Sequence, residues 1–92
     1  MADISKTKNH SMDIASVKAR VETVAGEIAK KMGVKYSWNG DVCDLKGAGL
    51  KNGKITVTDS TVSIELTLGM MAKMMKSVIE KEIDEKINQI VG

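Results

Sequence analysis

Several residue types that help to classify a protein are rare or missing in this 92-residue sequence. It contains no proline, no phenylalanine and a single cysteine, Cys43, and its only aromatic residues are one tyrosine and one tryptophan. A lone cysteine cannot form an internal disulfide, which is typical of a reducing compartment. The N-terminus lacks the pattern of a signal peptide, and no apolar run approaches the roughly 20 residues of a membrane span. We therefore expect a cytoplasmic protein without a transmembrane segment.

The sequence also lacks a large excess of positive or negative charge. The chain has 14 basic and 12 acidic residues, a formal net charge of +2, and the two signs are interspersed. This balance provides no strong field for nucleic acid or an anionic membrane. The length fits one domain, residues 1–92, that buries about 60–65% of its unfolded surface. Because aromatic residues are scarce, we expect a core of aliphatic and methionine side chains.

Residues 34–68 predict four short β-strands. Apolar and polar residues alternate in four runs, and Asn-Gly and Asp-Ser pairs mark turns between them. Residues 2–9 form a weaker candidate strand, whose lysines suit the edge of a sheet. The four predicted strands are 34–38, 42–47, 54–58 and 61–68, with turns at 39–40, 52–53 and 59–60.

Two-residue hairpin loops fix which residues of neighbouring strands lie opposite each other. With the first turn as such a loop, Tyr36 lies opposite Cys43, and with the last turn, Ile55 lies opposite Ile64. Both hairpins then have one apolar and one polar face, whereas the register of residues 47–53 stays open. The predicted apolar face consists of Val34, Tyr36, Trp38, Cys43, Leu45, Ile55, Val57, Val62, Ile64, Leu66 and Leu68.

A helix is predicted between Ser11, its N-cap, and Gly33, which ends it. Small residues on one flank of this helix are Ala15, Ala19 and Gly26. Two explanations remain open for this flank: a tolerated surface or groove for the other helix, and a close-approach seam for a second subunit. Apolar residues at spacings of three and four form a separate stripe, which consists of Ile14, Val17, Val21, Val24, Ala25, Ile28 and Met32.

A second helix is predicted from Gly69 to about Val91. Its apolar residues recur every four positions, so they drift around the helix axis. Either the helix bends around the sheet, or its two halves contact different surroundings. The clusters are Met71, Met74, Met75 and Val78 in the first half, and Ile83, Ile87 and Ile90 in the second.

The methionines of this second helix allow two interpretations. They fill irregular gaps in the core, or they form an exposed apolar patch for self-association or for docking on a hydrophobic surface. The residues concerned are Met70, Met71, Met74 and Met75.

These elements predict an α/β fold of the α+β type, a two-layer sandwich in the order β-α-β-β-β-β-α. We expect a mainly antiparallel sheet with both helices on its apolar face, and a first strand that pairs antiparallel with residues 61–68. A curved sheet that grips the last helix, as in small lipid-binding folds, is the alternative arrangement.

No residues form a pattern typical of an enzyme, a metal site or a cofactor site. His10 is the only histidine, and metal sites need several ligands. Cys43 falls on the apolar face, where burial raises a thiol pKa and disfavours nucleophilic attack. The glycine-rich residues 47–53 do not open a helix, unlike a phosphate loop. Nucleic acid is not expected as a partner, because both aromatic residues lie on the face opposite the polar one.

Five short motifs stand out along the chain, namely Asp3-Ile4, His10-Ser11, Tyr36-x-Trp38-x-Gly40-Asp41, Gly53-x-Ile55-x-Val57 and Leu66-x-Leu68-Gly69. In their order and spacing the chain resembles a bacterial family, the polyhydroxyalkanoic acid system proteins. The genes of this family lie beside those for storage-polyester synthesis and granule-surface proteins. The resemblance implies a role at polyester granules and implies no catalytic residues. Methionines follow the last motif here, where the family often has leucine and phenylalanine.

Three functions follow as hypotheses. The first, implied by the resemblance, is a non-enzymatic accessory protein that contacts the surface of polyhydroxyalkanoate granules or the granule proteins. The second is a binder of a small apolar ligand between sheet and helices. The third is a homodimer, which buries either the flank of Ala15, Ala19 and Gly26 or the face of Ile83, Ile87 and Ile90.

Overall fold

Five strands and three helices follow one another in the described part of the chain, residues 3–47 and 49–91 of a computed structural model. The predicted α+β class and element order are confirmed, except that the terminal helix is divided into two. Ala2 of the first predicted strand and Ala48 of the open connection lie outside the described residues. The elements are β1 (Ile4–Asn9), α1 (Ile14–Met32), β2 (Lys35–Asn39), β3 (Val42–Gly47), β4 (Leu50–Val57), β5 (Thr61–Leu68), α2 (Met70–Lys73) and α3 (Lys76–Val91).

The strands form one sheet in the order β1-β5-β4-β3-β2, and every neighbouring pair is antiparallel. The predicted pairing of the first strand with β5 is confirmed, because Ile4 lies opposite Leu66. Since β1 and β2 occupy opposite edges, α1 between them crosses one face of the sheet. On this face α1 covers β2, β3 and β4, whereas α3 covers β1 and β5.

The apolar face predicted from the sequence is the buried one. Its members in β3, β4 and β5 are at most 2% exposed, whereas Tyr36 and Trp38 in the edge strand β2 are half-buried. The core is aliphatic, but the prediction that methionine fills it is wrong. Among the described residues no methionine is buried, and Met12 and Met32 only border the core. Isoleucines of α3, and not methionines, are the residues of the terminal helix that lie in the core.

The β4–β5 hairpin has the predicted register, whereas the β2–β3 hairpin is shifted by two residues. Tyr36 lies opposite Leu45 rather than Cys43. The favoured two-residue turns need a positive φ at their first loop residue. In the observed register this residue is Gly40, which has a φ of 64°. A shift of two residues keeps every side chain on its face, so the predicted faces are unchanged.

Asn52 and Gly53, predicted as a turn, lie inside β4. The chain turns instead between Gly47 and Leu50, which lie opposite each other. Gly53 is required by packing, because a Cβ at this position would lie only 2.9 Å from Leu66 Cδ2 on the neighbouring strand. The glycine therefore makes room for a core leucine and does not reverse the chain.

The N-cap of α1 is Asp13 rather than the predicted Ser11. Its carboxylate accepts hydrogen bonds from the Ser16 N–H (3.0 Å) and the Ser16 hydroxyl (2.8 Å), which lowers the pKa of Asp13. At the other end, Gly33 adopts the left-handed conformation with a φ of 66° and ends the helix as predicted. Both caps bind backbone or side-chain groups of α1 itself and so define where the helix begins and ends.

The close approach at Gly53 predicts a stability cost for any side chain there. We expect Gly53→Ala to lower the free energy of unfolding by about 1–3 kcal/mol, because the added methyl group overpacks the core. The neighbouring Asn52 is exposed, so Asn52→Ala serves as the control and should change stability by less than about 0.5 kcal/mol. Urea unfolding followed by circular dichroism measures both. A Gly53→Ala variant as stable as wild type would contradict this packing.

Candidate functional site

The terminal helix is interrupted at Met74 and Met75, between α2 and α3. The Met74 N–H donates to the Met71 C=O (3.3 Å), and the Met75 N–H donates to the Ala72 C=O (3.0 Å). Bonds to the third preceding residue wind the backbone more tightly than an α-helix does. The prediction of one continuous helix is therefore wrong, and the alternative that its two halves contact different surroundings is correct.

Backbone and small-residue contacts hold α2 against the turn between β3 and β4. The Gly69 N–H donates to the Gly49 C=O (2.8 Å). Ala72 packs so closely on Gly49 that a Cβ added to this glycine would lie 3.1 Å from the Ala72 Cβ. Ala72 is the half-buried residue of α2, and the methionines around it point towards solvent.

Five apolar side chains of this region are exposed, and we call them the methionine patch. Of the two interpretations of these methionines, core filling is wrong. They form an exposed apolar surface, which in proteins commonly marks contact with another protein, a membrane or a ligand. The exposed fractions are 86% for Met70, 83% for Met71, 87% for Met74, 55% for Met75 and 60% for Val78.

An open groove between α1 and α3 continues the methionine patch, because Met75 and Val78 also line it. The groove has a volume of about 260 Å³. At its rim, Lys31 Nζ lies 2.6 Å from Glu82 Oε1. The hydrogen bond between these groups lowers the pKa of Glu82 and raises the pKa of Lys31. The remaining apolar lining comes from Ile28, Met32, Ile79 and Ile83.

The second half of the terminal helix is part of the core. Ile83, Ile87 and Ile90 are at most 2% exposed, so they offer no surface to a second copy of the chain, contrary to the hypothesis that this face is a dimer contact. Next to them, the Lys86 ammonium lies 3.0 Å from a carboxylate oxygen of Glu27 on α1. This buried lysine is ion-paired, as burial of a charge requires.

The small-residue flank of α1 has mixed surroundings. Ala15 and Ala19 are exposed, whereas Gly26 is half-buried. A Cβ added to Gly26 would lie 3.9 Å from the Tyr36 hydroxyl, which places this part of the flank beside the edge strand β2. Self-association through the flank stays a prediction.

Glu22 forms hydrogen bonds with both aromatic residues, a contact that the sequence did not indicate. Its carboxylate accepts hydrogen bonds from the Tyr36 hydroxyl and from Trp38 Nε1, the latter at 2.8 Å. These two bonds lower the pKa of Glu22, and the bond to Glu22 raises the pKa of Tyr36. Lys18 Nζ lies 5.1 Å from the centre of the Trp38 ring and 3.2 Å from Asp41 Oδ1. The cluster attaches α1 to β2.

His10 contacts the backbone, and Cys43 is part of the core. His10 Nε2 lies 2.9 Å from the Thr58 C=O, and His10 Nδ1 accepts a hydrogen bond from the Met12 N–H (3.2 Å), so both ring nitrogens bind backbone. Cys43 is fully buried, and burial raises the pKa of its thiol to about 11. The predicted direction of this pKa change is confirmed.

Residues 3–47 and 49–91 contain neither a metal-binding cluster nor a membrane-spanning helix. Within these ranges, no three histidine, cysteine, aspartate or glutamate side chains come together as a metal site would require. None of the helices there has the length and apolar character needed to span a membrane.

The fold and the methionine patch define a two-layer α+β protein with an exposed apolar surface beside its terminal helix. The sequence model of the family described as "Putative polyhydroxyalkanoic acid system protein" matches residues 4–91. The chain belongs to this family, and the resemblance inferred from its motifs is confirmed. Comparison with curated proteins gave no match, and neither did comparison with solved structures.

The buried thiol predicts a change of stability at alkaline pH. Folding raises the pKa of Cys43 from 9.0 to about 11, so folding favours the protonated thiol. The contribution of the protonated thiol to the free energy of unfolding is complete below about pH 9 and is lost as the pH rises through about 11. Wild type should therefore lose roughly 2–3 kcal/mol of unfolding free energy relative to Cys43→Ala across this range.

Urea unfolding of both proteins at several pH values measures this difference. The comparison removes the contribution of lysines and Tyr36, which titrate in both proteins. Parallel stability curves for wild type and Cys43→Ala would show that the thiol ionises without penalty in the folded state.

Proposed function

We propose that the protein is a non-enzymatic accessory protein of polyhydroxyalkanoate storage granules, and that the methionine patch attaches it to the hydrophobic granule surface. The observation that carries this proposal is the exposure of Met70, Met71 and Met74, each more than 80% exposed, in a chain that belongs to a polyhydroxyalkanoic acid system family. The chain has enough isoleucine, leucine and valine to complete its core without these methionines.

The chemistry of the patch fits an irregular apolar surface. Methionine side chains are unbranched and flexible, so they adapt to a polymer surface that has no fixed shape. Lys73 and Lys76 border the patch and are exposed. Their aliphatic stems extend the apolar contact while their ammonium groups stay in water.

The strength of such attachment can be bounded. Full burial of a methionine side chain contributes about 1.5–3 kcal/mol, and association costs about 4–15 kcal/mol in lost freedom of motion. Four methionines therefore support reversible attachment. This suits an accessory protein that exchanges between the granule surface and solution.

The groove favours surface contact over enclosure of a small ligand. Sites for small ligands are clefts of about 300–1,000 Å³, and the groove holds about 260 Å³. It lies between α1 and α3 at the surface and not between the sheet and the helices, where a bound ligand was predicted. A continuous patch and groove instead offer one extended apolar contact area.

Co-sedimentation with purified granules tests the proposal. We expect Met71→Glu with Met74→Glu to weaken binding by roughly tenfold or more, because two carboxylates cannot be buried against polyester. Both methionines are more than 80% exposed, so the unfolding free energy should change by less than about 0.5 kcal/mol. The double variant Thr23→Glu with Gln89→Glu adds the same charge at exposed helix positions and should bind as wild type does.

Particles of bare polymer distinguish the two partners within this proposal. Binding to native granules and to bare polymer alike indicates direct contact with the polyester, whereas binding to native granules alone indicates a granule protein. Equal sedimentation of the patch variant and the control variant would contradict a role for the patch. Failure of wild type to sediment in either case would contradict the proposed function.

A further inference from the structure

The two edges of the sheet are protected in different ways. In β1, Lys6 and Lys8 point to the face that carries the helices, since they lie opposite Ile64 and Val62. Lys6 Nζ lies 3.1 Å from a carboxylate oxygen of Glu80 in α3, and Lys8 also binds α3 through a hydrogen bond. Charged residues that point inward at an edge strand prevent another strand from pairing with it.

The other edge strand, β2, lacks such inward-pointing charges. The residues at its corresponding positions are Tyr36 and Trp38, both half-buried. Their polar atoms bind Glu22, which fixes the rings beside the open edge. Tyrosine and tryptophan are enriched in the buried centres of protein interfaces.

One hydrogen bond shows which backbone groups of β2 face the open edge. The Val57 N–H donates to the Asp41 C=O (2.9 Å). The backbone groups of Asp41 therefore face β4, and those of the next residue, Val42, face β2. Bonded positions alternate along an antiparallel pair, and Asn39 lies opposite Val42. Asn39, Ser37 and Lys35 therefore bond to β3.

The remaining backbone groups of β2 point away from the sheet. They are the N–H and C=O groups of Tyr36 and Trp38, and β2 is the last strand in the sheet order. Two donors and two acceptors thus alternate along this short edge. This arrangement is complementary to an antiparallel copy of itself.

We propose that a second copy of the chain pairs through β2, with a two-fold axis at Ser37. In this register Tyr36 forms a bonded pair with the partner's Trp38, and the symmetric pair forms on the other side of the axis. All four outward groups of each strand are then used. The two sheets join into one sheet of ten strands, and the four aromatic rings lie together on its helical face.

Registers shifted by one residue, or with the two-fold axis at Tyr36, satisfy fewer groups. A shift of one residue places an outward-pointing residue opposite one that already bonds to β3. A two-fold axis at Tyr36 places Trp38 opposite the partner's Val34, but the Val34 N–H already donates to the Ala29 C=O (3.2 Å). The axis at Ser37 also sets Lys35 opposite Asn39, so no like charges face each other. A self-complementary edge is what a symmetric dimer requires.

The proposed interface is separate from the methionine patch, since no residue of β2 belongs to the patch. A dimer therefore presents two patches, which strengthens attachment to a granule through multivalency. The dimer itself does not depend on the proposed function, and its test needs no granule.

Disulfide trapping tests the register. Ser37 faces its own copy across the axis as a non-bonded pair, where Cα atoms are about 4.5 Å apart, a separation that a disulfide accepts. Under mild oxidation Ser37→Cys should form covalent dimers at least about tenfold faster than Ser5→Cys, which places an exposed thiol on the edge strand β1. The native Cys43 is fully buried and does not compete.

Analytical ultracentrifugation provides the second readout. Ser37→Lys places two lysines opposite each other across the axis and should weaken the dimer by up to about fivefold. Ser5→Lys is the matched control, because both new lysines lie opposite an acidic residue of the neighbouring strand. Ser37 lies opposite Asp44, and Ser5 lies opposite Glu65. A monomeric wild type at high concentration would overturn the proposal. So would a dimer in which Ser37→Cys cross-links no faster than Ser5→Cys.

Discussion

Burial of one face of the sheet under α1 and α3 determines where every other apolar residue can lie. The two helices divide this face, with α1 over β2, β3 and β4 and α3 over β1 and β5. The isoleucines of α3 are part of the core, whereas the segment that precedes them contributes only the half-buried Ala72 to its border. Gly69 and Ala72 hold that segment against the β3–β4 turn, and its methionines remain in solvent. The exposed patch thus lies outside the core.

Charged pairs fix α3 from its second turn onwards. Two acidic residues of α3 bind its neighbours. Glu80 pairs with Lys6 of β1, and Glu82 pairs with Lys31 of α1. The buried Lys86 adds an ion pair with the exposed Glu27 of α1. No ion pair among those found in the described residues involves α2. The methionine patch therefore lies in the part of the terminal segment that no such ion pair holds: its methionines precede α3, and Val78, its member in α3, precedes Glu80, the first ion-paired residue of that helix.

Local patterns were sufficient to predict the faces of the sheet and the apolar stripe of α1, because side chains alternate along a strand and recur every three to four residues in a helix. They could not distinguish a turn glycine from Gly53, which is required by the packing of a neighbouring leucine. Helical spacing separated the methionines from the isoleucines, but both sets are apolar, so the pattern did not show which one faces the sheet. The bonds from Glu22 to Tyr36 and Trp38 depend on contacts between distant parts of the chain.

Oxidation of methionine side chains by dilute peroxide, followed by mass spectrometry, tests most directly whether the patch is exposed in the free protein and covered on the granule. Accessible thioethers oxidise and packed ones are protected. In the isolated protein, Met70, Met71 and Met74 should oxidise quickly and Met12, which borders the core, slowly. Added granules should slow the first three and leave Met12 unchanged. Patch methionines that oxidise as slowly as Met12 in the free protein, or at the same rate with and without granules, would contradict the account.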